Sequence, residues 1–251
     1  MRRSHCCWLF VLCLISQPLW ASQPLRVVTE LSPPHQTLVN GEVAGLSTTL
    51  VQQILHEAGL SAQIEIFPWA RAFRLASSHA NMLIYNMART AERENQFHWI
   101  GTVASYNLGF VALAHRQDIT VNTLDDARRY SVAIQRDDLS AIYLQQQGFE
   151  VGTELIVAAD IIESWQLLLL GKVDLVIDDP VALTEMAKLL AISTEQVRFV
   201  YAIPELAQHT WLAASRQTAP ELVRQLQQAH AVIAKTAFYQ QLMQSGYTAK
   251  P

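Results

Sequence analysis

The chain has 251 residues, 51% of them hydrophobic and 16% charged, with a formal net charge of −4. That length and apolar content supply a core for one large domain or two small ones and exclude a disordered chain. A mildly acidic balance without a basic stripe argues against a nucleic-acid surface.

The first twenty or so residues stand apart. Arg2 and Arg3 precede the apolar run from Cys7 to Ile15, then come Pro18 and the small Ala21. This is the layout of a cleavable secretory signal; as a membrane anchor, the alternative, the run is too short to span a bilayer. Cys13 lacks the small residues that precede a lipoprotein cysteine, so a soluble periplasmic product is expected. All three cysteines, Cys6, Cys7 and Cys13, leave with this segment, which excludes disulfides, a cysteine nucleophile and a thiolate metal site from the mature chain. Loss of Arg2 and Arg3 takes the charge to −6, 16 basic against 22 acidic residues.

In chain order, Leu25 to Thr29 reads as a strand, followed by a loop with Ser32-Pro33-Pro34-His35. Leu50, Val51, Ile54, Leu55 and Ala58 recur at helical spacing, with Ser47 or Thr48 as cap and Gly59 as stop. Ala62 to Phe67 alternates as a strand, Pro68 to Phe73 opens a second helix, and Met82 to Tyr85 is a third strand stopping at Asn86. Strand, helix, strand, helix, strand is a doubly wound α/β unit, whose ligands gather at the carboxyl ends of its strands. Thr90 is read as the N-cap of a helix in which Arg93 stands where a capping box has a carboxylate. A cation at the positive end of the helix dipole calls for a compensating anion; a solvated surface arginine is the other reading.

From Tyr106 to Ala114 an apolar strand leads into a second βα pattern. Tyr130 to Ile134 is a strand, Ser140 to Gln147 a helix, Glu154 to Val157 a strand. Asp160 and Glu163 form a capping box for a helix ending at Gly171. Val173 to Ile177 is the next strand, with Asp179 as N-cap and Pro180 as first helical residue. Val197 to Ile203 is a strand, Trp211 to Ala214 is read as the crossing back to the first unit, Thr218 and Glu221 as a capping box around Pro220, and Phe238 to Gln244 as a last helix stopped by Gly246.

The Thr90-x-Glu92-Arg93-x-x-x-Phe97 pattern after a strand resembles the signature of family 3 solute-binding proteins, periplasmic receptors for polar amino acids. With it, the order of elements is similar from about Leu25 to the C-terminus. The resemblance implies two doubly wound α/β lobes joined by two hinge crossings: residues 22–105 with 208–251, and 106–207. It implies that Arg93 grips a ligand carboxylate and, through Gly171, Asp174 and Asp179, that Asp179 takes the ligand's ammonium, against the plainer reading of Asp179 as a helix cap. Asn86, Ala88 and Ser32 fall at the cleft. Ser32 stands where the family has a stacking aromatic, a place that Trp69 either takes over or leaves while packing in the core. The turn Arg136-Asp137-Asp138 stands where the family usually has small residues. Two carboxylates there would repel an anion but could take a second cationic group, while Arg136 could pair with them or reach the ligand itself. The expected ligand is polar, with at least one carboxylate contacted by Arg93, and not an ordinary amino acid, unless Asp137 or Asp138 only caps the helix and the ligand is a common amino acid.

The expected function is capture of a small polar carboxylate-bearing solute by a monomer, for an inner-membrane ABC permease or a membrane sensor. The alternative on the same fold is a dehydratase, with Glu30, Asp137, Asp138 and Asp178 in position to supply a general acid. No metal or cofactor is expected: eight scattered histidines show no ligand spacing, and P-loop and HExxH motifs are absent.

Overall fold

The computed structural model describes residues 24–245, so the expected signal segment and the stop at Gly246 lie outside the described residues. Ten strands and seven α-helices occur among them. They are β1 (Arg26–Thr29), β2 (Thr37–Val39), β3 (Glu42–Ala44), α1 (Leu46–Glu57), β4 (Gln63–Ile66), α2 (Trp69–Ser78), β5 (Met82–Ala88) and β6 (Phe97–Leu113). After these come β7 (Val132–Gln135), α3 (Leu139–Gln146), β8 (Leu155–Ala158), α4 (Ile161–Leu169), β9 (Leu175–Asp178), α5 (Leu183–Leu189), β10 (Val197–Ser215), α6 (Pro220–Ile233) and α7 (Ala237–Ser245).

Eight strands form one sheet in the order β4-β1-β5-β10-β6-β9-β7-β8. Short strands form its parallel ends: β5, β9 and most of β1 and β7 are buried apolar runs, while the edge strands β4 and β8 are only partly buried. β1 is parallel to β4 and β5 at one end, and β7 is parallel to β8 and β9 at the other. The antiparallel pair β6 and β10 runs through both halves. Its pairing is regular from Val197 to Phe199 and from Ala207 to Thr210, but between Ala202 and Ala207 the register shifts, opposite Asn107 to Gly109. There the two strands leave one lobe and enter the other. Helices cover both faces of each half. In lobe 1, α1 and α6 pack through Leu50, Ile54 and Leu226, and α2 lies opposite through Trp69 and Ala72. In lobe 2, Leu144 of α3 and Trp165 of α4 anchor separate clusters on the two faces.

Several expectations change at the level of single elements. No helix follows Thr90: residues 91–96 form turns, closed by the Arg93 N–H on the Thr90 carbonyl and the Gln96 N–H on the Arg93 carbonyl. The stretch from Ala88 to Phe97 is too short to recover the entropy of nucleating a helix, so Arg93 faces no helix dipole. β5 does not stop at Asn86 but runs to Ala88. Trp211 to Ala214 is not the crossing; it pairs with β5 inside lobe 1. Gly45, not Ser47 or Thr48, precedes α1, and Ala219, not Thr218, caps α6, leaving the Thr218 hydroxyl buried without a partner among the described residues.

Candidate functional site

A cavity of about 90 Å³ lies between the lobes, where the carboxyl ends of β1, β5, β7 and β9 converge on the crossing strands. Such ends collect ligands because strand side chains and helix N-termini open there together.

Lobe 1 contributes Arg93. Its turn holds the side chain down, so the residue is 5% exposed. The guanidinium lies 5.2 Å from the Trp69 ring centre and 5.1 Å from that of Phe73, and Nη1 reaches the Ala88 carbonyl at 3.4 Å. Among the described residues it makes no ion pair within 4.0 Å. Burial lowers its pKa, while Asp138, Glu30 and Glu92 pull it the other way. A buried cation is stable when paired and hydrogen-bonded, and two aromatic faces with one long contact leave most of its five donors uncommitted.

Three acids line the same cavity. Glu30 follows β1, and its Oε2 is buried without a hydrogen-bond partner among the described residues. Burial pushes its carboxyl up to about 8, helped by Asp138 and Asp178 and opposed by a hydrogen bond from the Gln135 side chain and by Arg93. Asp138 caps α3, accepting from the Ala141 N–H at 2.6 Å and the Ser140 hydroxyl at 2.8 Å; burial still carries it to about 6. Asp178 ends β9, opposite Gly109 of β6, and accepts from Trp165 Nε1 at 2.8 Å and the Asp179 N–H at 2.8 Å. Burial raises it to about 7 against those two donors. Near neutral pH these groups share protons, because one arginine and a few N–H donors do not offset three charges in a small enclosed space.

A neutral network closes the floor. Opposite Leu212, β5 carries two residues, Tyr85 and Asn86, and Asn86 takes φ of 56°. The bulge turns the Asn86 side chain toward the cavity. Its Nδ2 donates to the Tyr106 hydroxyl at 3.1 Å and its Oδ1 accepts from Thr210 at 3.2 Å. The same tyrosine donates to Gln36 Oε1 and lies 3.2 Å from Ser32 Oγ.

Of the residues singled out in the sequence, Arg93, Trp69, Asn86, Ala88 and Ser32 line the cavity. Trp69 is both core and wall: 3% exposed, it also sends Nε1 to the Asp137 carbonyl of the other lobe at 2.9 Å. Arg136 and Asp137 are exposed and outside the lining; Asp137 contributes its carbonyl from a turn with φ of 58°. Asp179 is also outside it. Its oxygens accept from the Asn107 N–H at 2.6 Å and the Val181 N–H at 2.9 Å, and its neighbour Asp178, not Asp179, lines the wall. Tyr106, Gln135, Ser140 and Thr210 line the cavity and drew no notice in the sequence. Gln135 ends β7, Ser140 sits in the first turn of α3, and Tyr106 and Thr210 lie on the crossing strands, so their place at the site depends on partners distant in sequence. Among the described residues no group of three histidine, cysteine or acidic side chains is arranged to hold a metal ion.

The model for bacterial extracellular solute-binding proteins, family 3, matches residues 25–247. Among curated proteins none matches the chain. Solved structures do. A histidine kinase sensor domain with similarity to periplasmic binding proteins superposes with a TM-score of 0.76 at 18% identity, covering 90% of this chain and 96% of that one. An ancestral arginine-binding protein bound to arginine gives 0.74 at 19%, covering 89% and 98%. The arginine-, lysine-, histidine-binding protein ArtJ from the thermophilic bacterium Geobacillus stearothermophilus gives 0.75 at 15%, covering 91% and 97%. At these identities the likeness carries the fold, and it agrees with the two-lobed sheet. With nearly the whole described chain matched by the family model, the protein belongs to the bacterial extracellular solute-binding proteins, family 3.

Proposed function

We propose that this protein captures a small zwitterion between its lobes, with the solute's carboxylate on Arg93 and its ammonium on the Asp138 and Asp178 side. The observation that carries this reading is Arg93 itself, a buried guanidinium without an ion pair among the described residues, which faces the other lobe's acids across the cavity. A solute with both charges stabilises the closed arrangement over the open one, and only such differential affinity shifts a hinge. In this reading the lobes comprise residues 22–105 with 208–251, and residues 106–207, in a monomer. Asp179 keeps its role as cap, and Arg136 and Asp137 stay at the rim. Arginine-binding proteins among the similar structures support a solute of this charge type.

The product is exported to the periplasm and hands its solute to an ABC permease. A second reading, delivery of the same solute signal to a membrane receptor, is favoured by the likeness to a histidine kinase sensor domain. The test is calorimetry of the mature protein against a panel of amino acids, opines and dicarboxylates. A saturable ligand that Arg93→Ala no longer binds supports the reading; one that Arg93→Ala binds unchanged sinks it. Turnover of a bound carboxylic acid, lost in Glu30→Gln, would replace it with the dehydratase alternative.

A further inference from the structure

Asp178 is the wall acid whose hold comes from inside the lobe 2 core. It is 5% exposed at the end of β9. Its Oδ1 accepts from the N–H of Asp179, the next residue in the chain, at 2.8 Å, and its Oδ2 accepts from Trp165 Nε1, also at 2.8 Å. Trp165 lies within α4, fully buried in a cluster with Val111, Ala133, Leu168, Val176 and Met186. Its ring therefore packs like any large apolar side chain, while its one polar atom is an N–H that can only donate. A buried N–H needs an acceptor, and here the acceptor is a carboxyl group that lines the cavity.

We propose that Trp165 is a positioning residue for solute capture: its indole N–H fixes the Asp178 carboxyl group at the cavity wall, with a lone pair on each oxygen left for the solute's ammonium. This deepens the proposed seat of the ammonium on the Asp138 and Asp178 side and rests on it. Around Asp178 stand Glu30 from the end of β1, Asp138 from the cap of α3, Asp179 from its own turn, Tyr106 from β6 and Arg93 from lobe 1, while α4 presents the indole N–H. Burial raises Asp178 to about 7, and the Trp165 bond leads the influences that oppose the rise, ahead of the Asp179 N–H. A donor on a carboxylate favours its charged form. Without the indole the carboxyl keeps its proton further toward alkaline pH, and a protonated carboxyl offers an ammonium no opposite charge. Capture should therefore tighten as pH rises through neutrality, by about tenfold per unit at most for one proton, and level off once Asp178 is ionised.

The test begins without solute. Carbon-13 titration of aspartate side chains in the mature protein, with Asp178 assigned through Asp178→Asn, should give a midpoint near 7 in the native protein. Trp165→Phe should move it up by about 1 to 2 pH units, the worth of a hydrogen bond to a charged group. In the native protein the Trp165 indole proton should shift through the same midpoint, which tests the bond even if Trp165→Phe folds poorly. Calorimetry with L-arginine and L-glutamine from about pH 6 to 8.5 should then show affinity rising as Asp178 ionises, and the rise displaced upward in Trp165→Phe. In an Asp178→Asn background Trp165→Phe should leave the pH profile in place, because a void left by the smaller ring does not move a midpoint. An Asp178 midpoint that Trp165→Phe leaves unchanged, or an indole proton that ignores the titration, overturns the inference and leaves the proposed function standing. A midpoint that moves while the affinity of a bound amino acid stays flat across the range keeps the bond and overturns its part in capture. Binding of neither amino acid at any pH counts against both that part and an amino acid as the solute, while the solute-free titration still decides the bond.

Discussion

The two walls of the cavity are held by different means. On lobe 1 the guanidinium of Arg93 is sheltered by aromatic faces and touches one carbonyl. On lobe 2 Asp138 and Asp178 are fixed by short hydrogen bonds from Ala141, Ser140, Trp165 and the Asp179 backbone. The cation is positioned by packing and left electrically open, while the acids are positioned by donors and left partly protonated. Among the described residues neither wall neutralises the other within ion-pair distance, so in the proposed reading the free energy of pairing is left for a solute that spans them.

Arg93→Ala should break the comparison most completely. Charge-assisted hydrogen bonds contribute about 1.5–3 kcal/mol each, so loss of a bidentate pair should weaken binding about a hundredfold or more at 1.4 kcal/mol per tenfold. The ligand-free melting temperature should hold or rise, since a buried, unpaired cation is removed. A large fall in ligand-free stability would mean that Arg93 serves the fold. Arg93→Lys should recover only part of the affinity, because an ammonium lacks the planar fork.

Adjacent carboxylates on lobe 2 sharpen it. Asp178→Asn should cost tenfold or more in affinity with a modest change in melting temperature. Asp179→Ala should do the reverse, losing the cap on the Val181 N–H and the hold on the Asn107 N–H, which together stabilise by about 1–3 kcal/mol, with affinity within a few-fold. Paired melting and titration curves on the two variants read this directly, and an exchange of the two outcomes would restore the ammonium to Asp179.

The acids also make a pH signature. Glu30, at about 8, and Asp178, at about 7, hold protons in the folded state that the unfolded chain releases near its ordinary carboxylate values. For acids raised in this way the folded state binds more protons between the two pKa values, so stability is full below the unfolded pKa and is lost as pH rises through the folded one. His35, buried and lowered to about 4, works the other way: it contributes above its unfolded value of 6.5 and that contribution is lost toward acid. The window from about pH 6.5 to 8.5 therefore isolates the acids. The ligand-free melting temperature should fall there by several degrees, at about 2–4 °C per kcal/mol for a chain of this size, and Glu30→Gln should flatten the slope. A flat native profile would mean that the acids are already ionised and that the lobe 2 wall carries its full negative charge.

Much of the fold was legible because it is local: apolar runs of four to seven residues marked β1, β4, β5, β7, β8 and β9, and Asp160 marked the start of α4. The long strands were not. Glu205, Gln208 and His209 interrupt the apolar pattern where β10 leaves one lobe for the other, so one strand of 19 residues reads as two segments. At the site, Arg93 and Asn86 were visible as polar residues after a buried run, but the bulge that turns Asn86 depends on its pairing with β10, a partner distant in sequence. The choice between Asp178 and Asp179 depends on side-chain direction, which changes from one residue to the next along a strand, so a reading one residue out selects the wrong acid. Gln135 and Tyr106 matter only because another lobe or crossing meets them, and nothing in their own neighbourhood announces it.

The smallest effect concerns the contact that joins the walls without the solute. Trp69 Nε1 donates to the Asp137 carbonyl across the lobes, while the rest of the ring packs in the lobe 1 core and against Arg93. Trp69→Phe keeps an aromatic face for the guanidinium and removes the only donor the indole has. A net hydrogen bond contributes about 0.5–1.5 kcal/mol, so closure should become easier to reverse and affinity should drop by a factor of about 2 to 10. Part of any loss would come from the smaller ring leaving a void in the core, and ligand-free melting measures that part. Small-angle scattering measures the other: without ligand the variant should populate a more open form than the native protein, and at saturating ligand the two should reach the same radius of gyration. If the variant and native protein scatter alike without ligand, the indole bond does not bias the hinge, and closure rests on the solute and the charged walls alone.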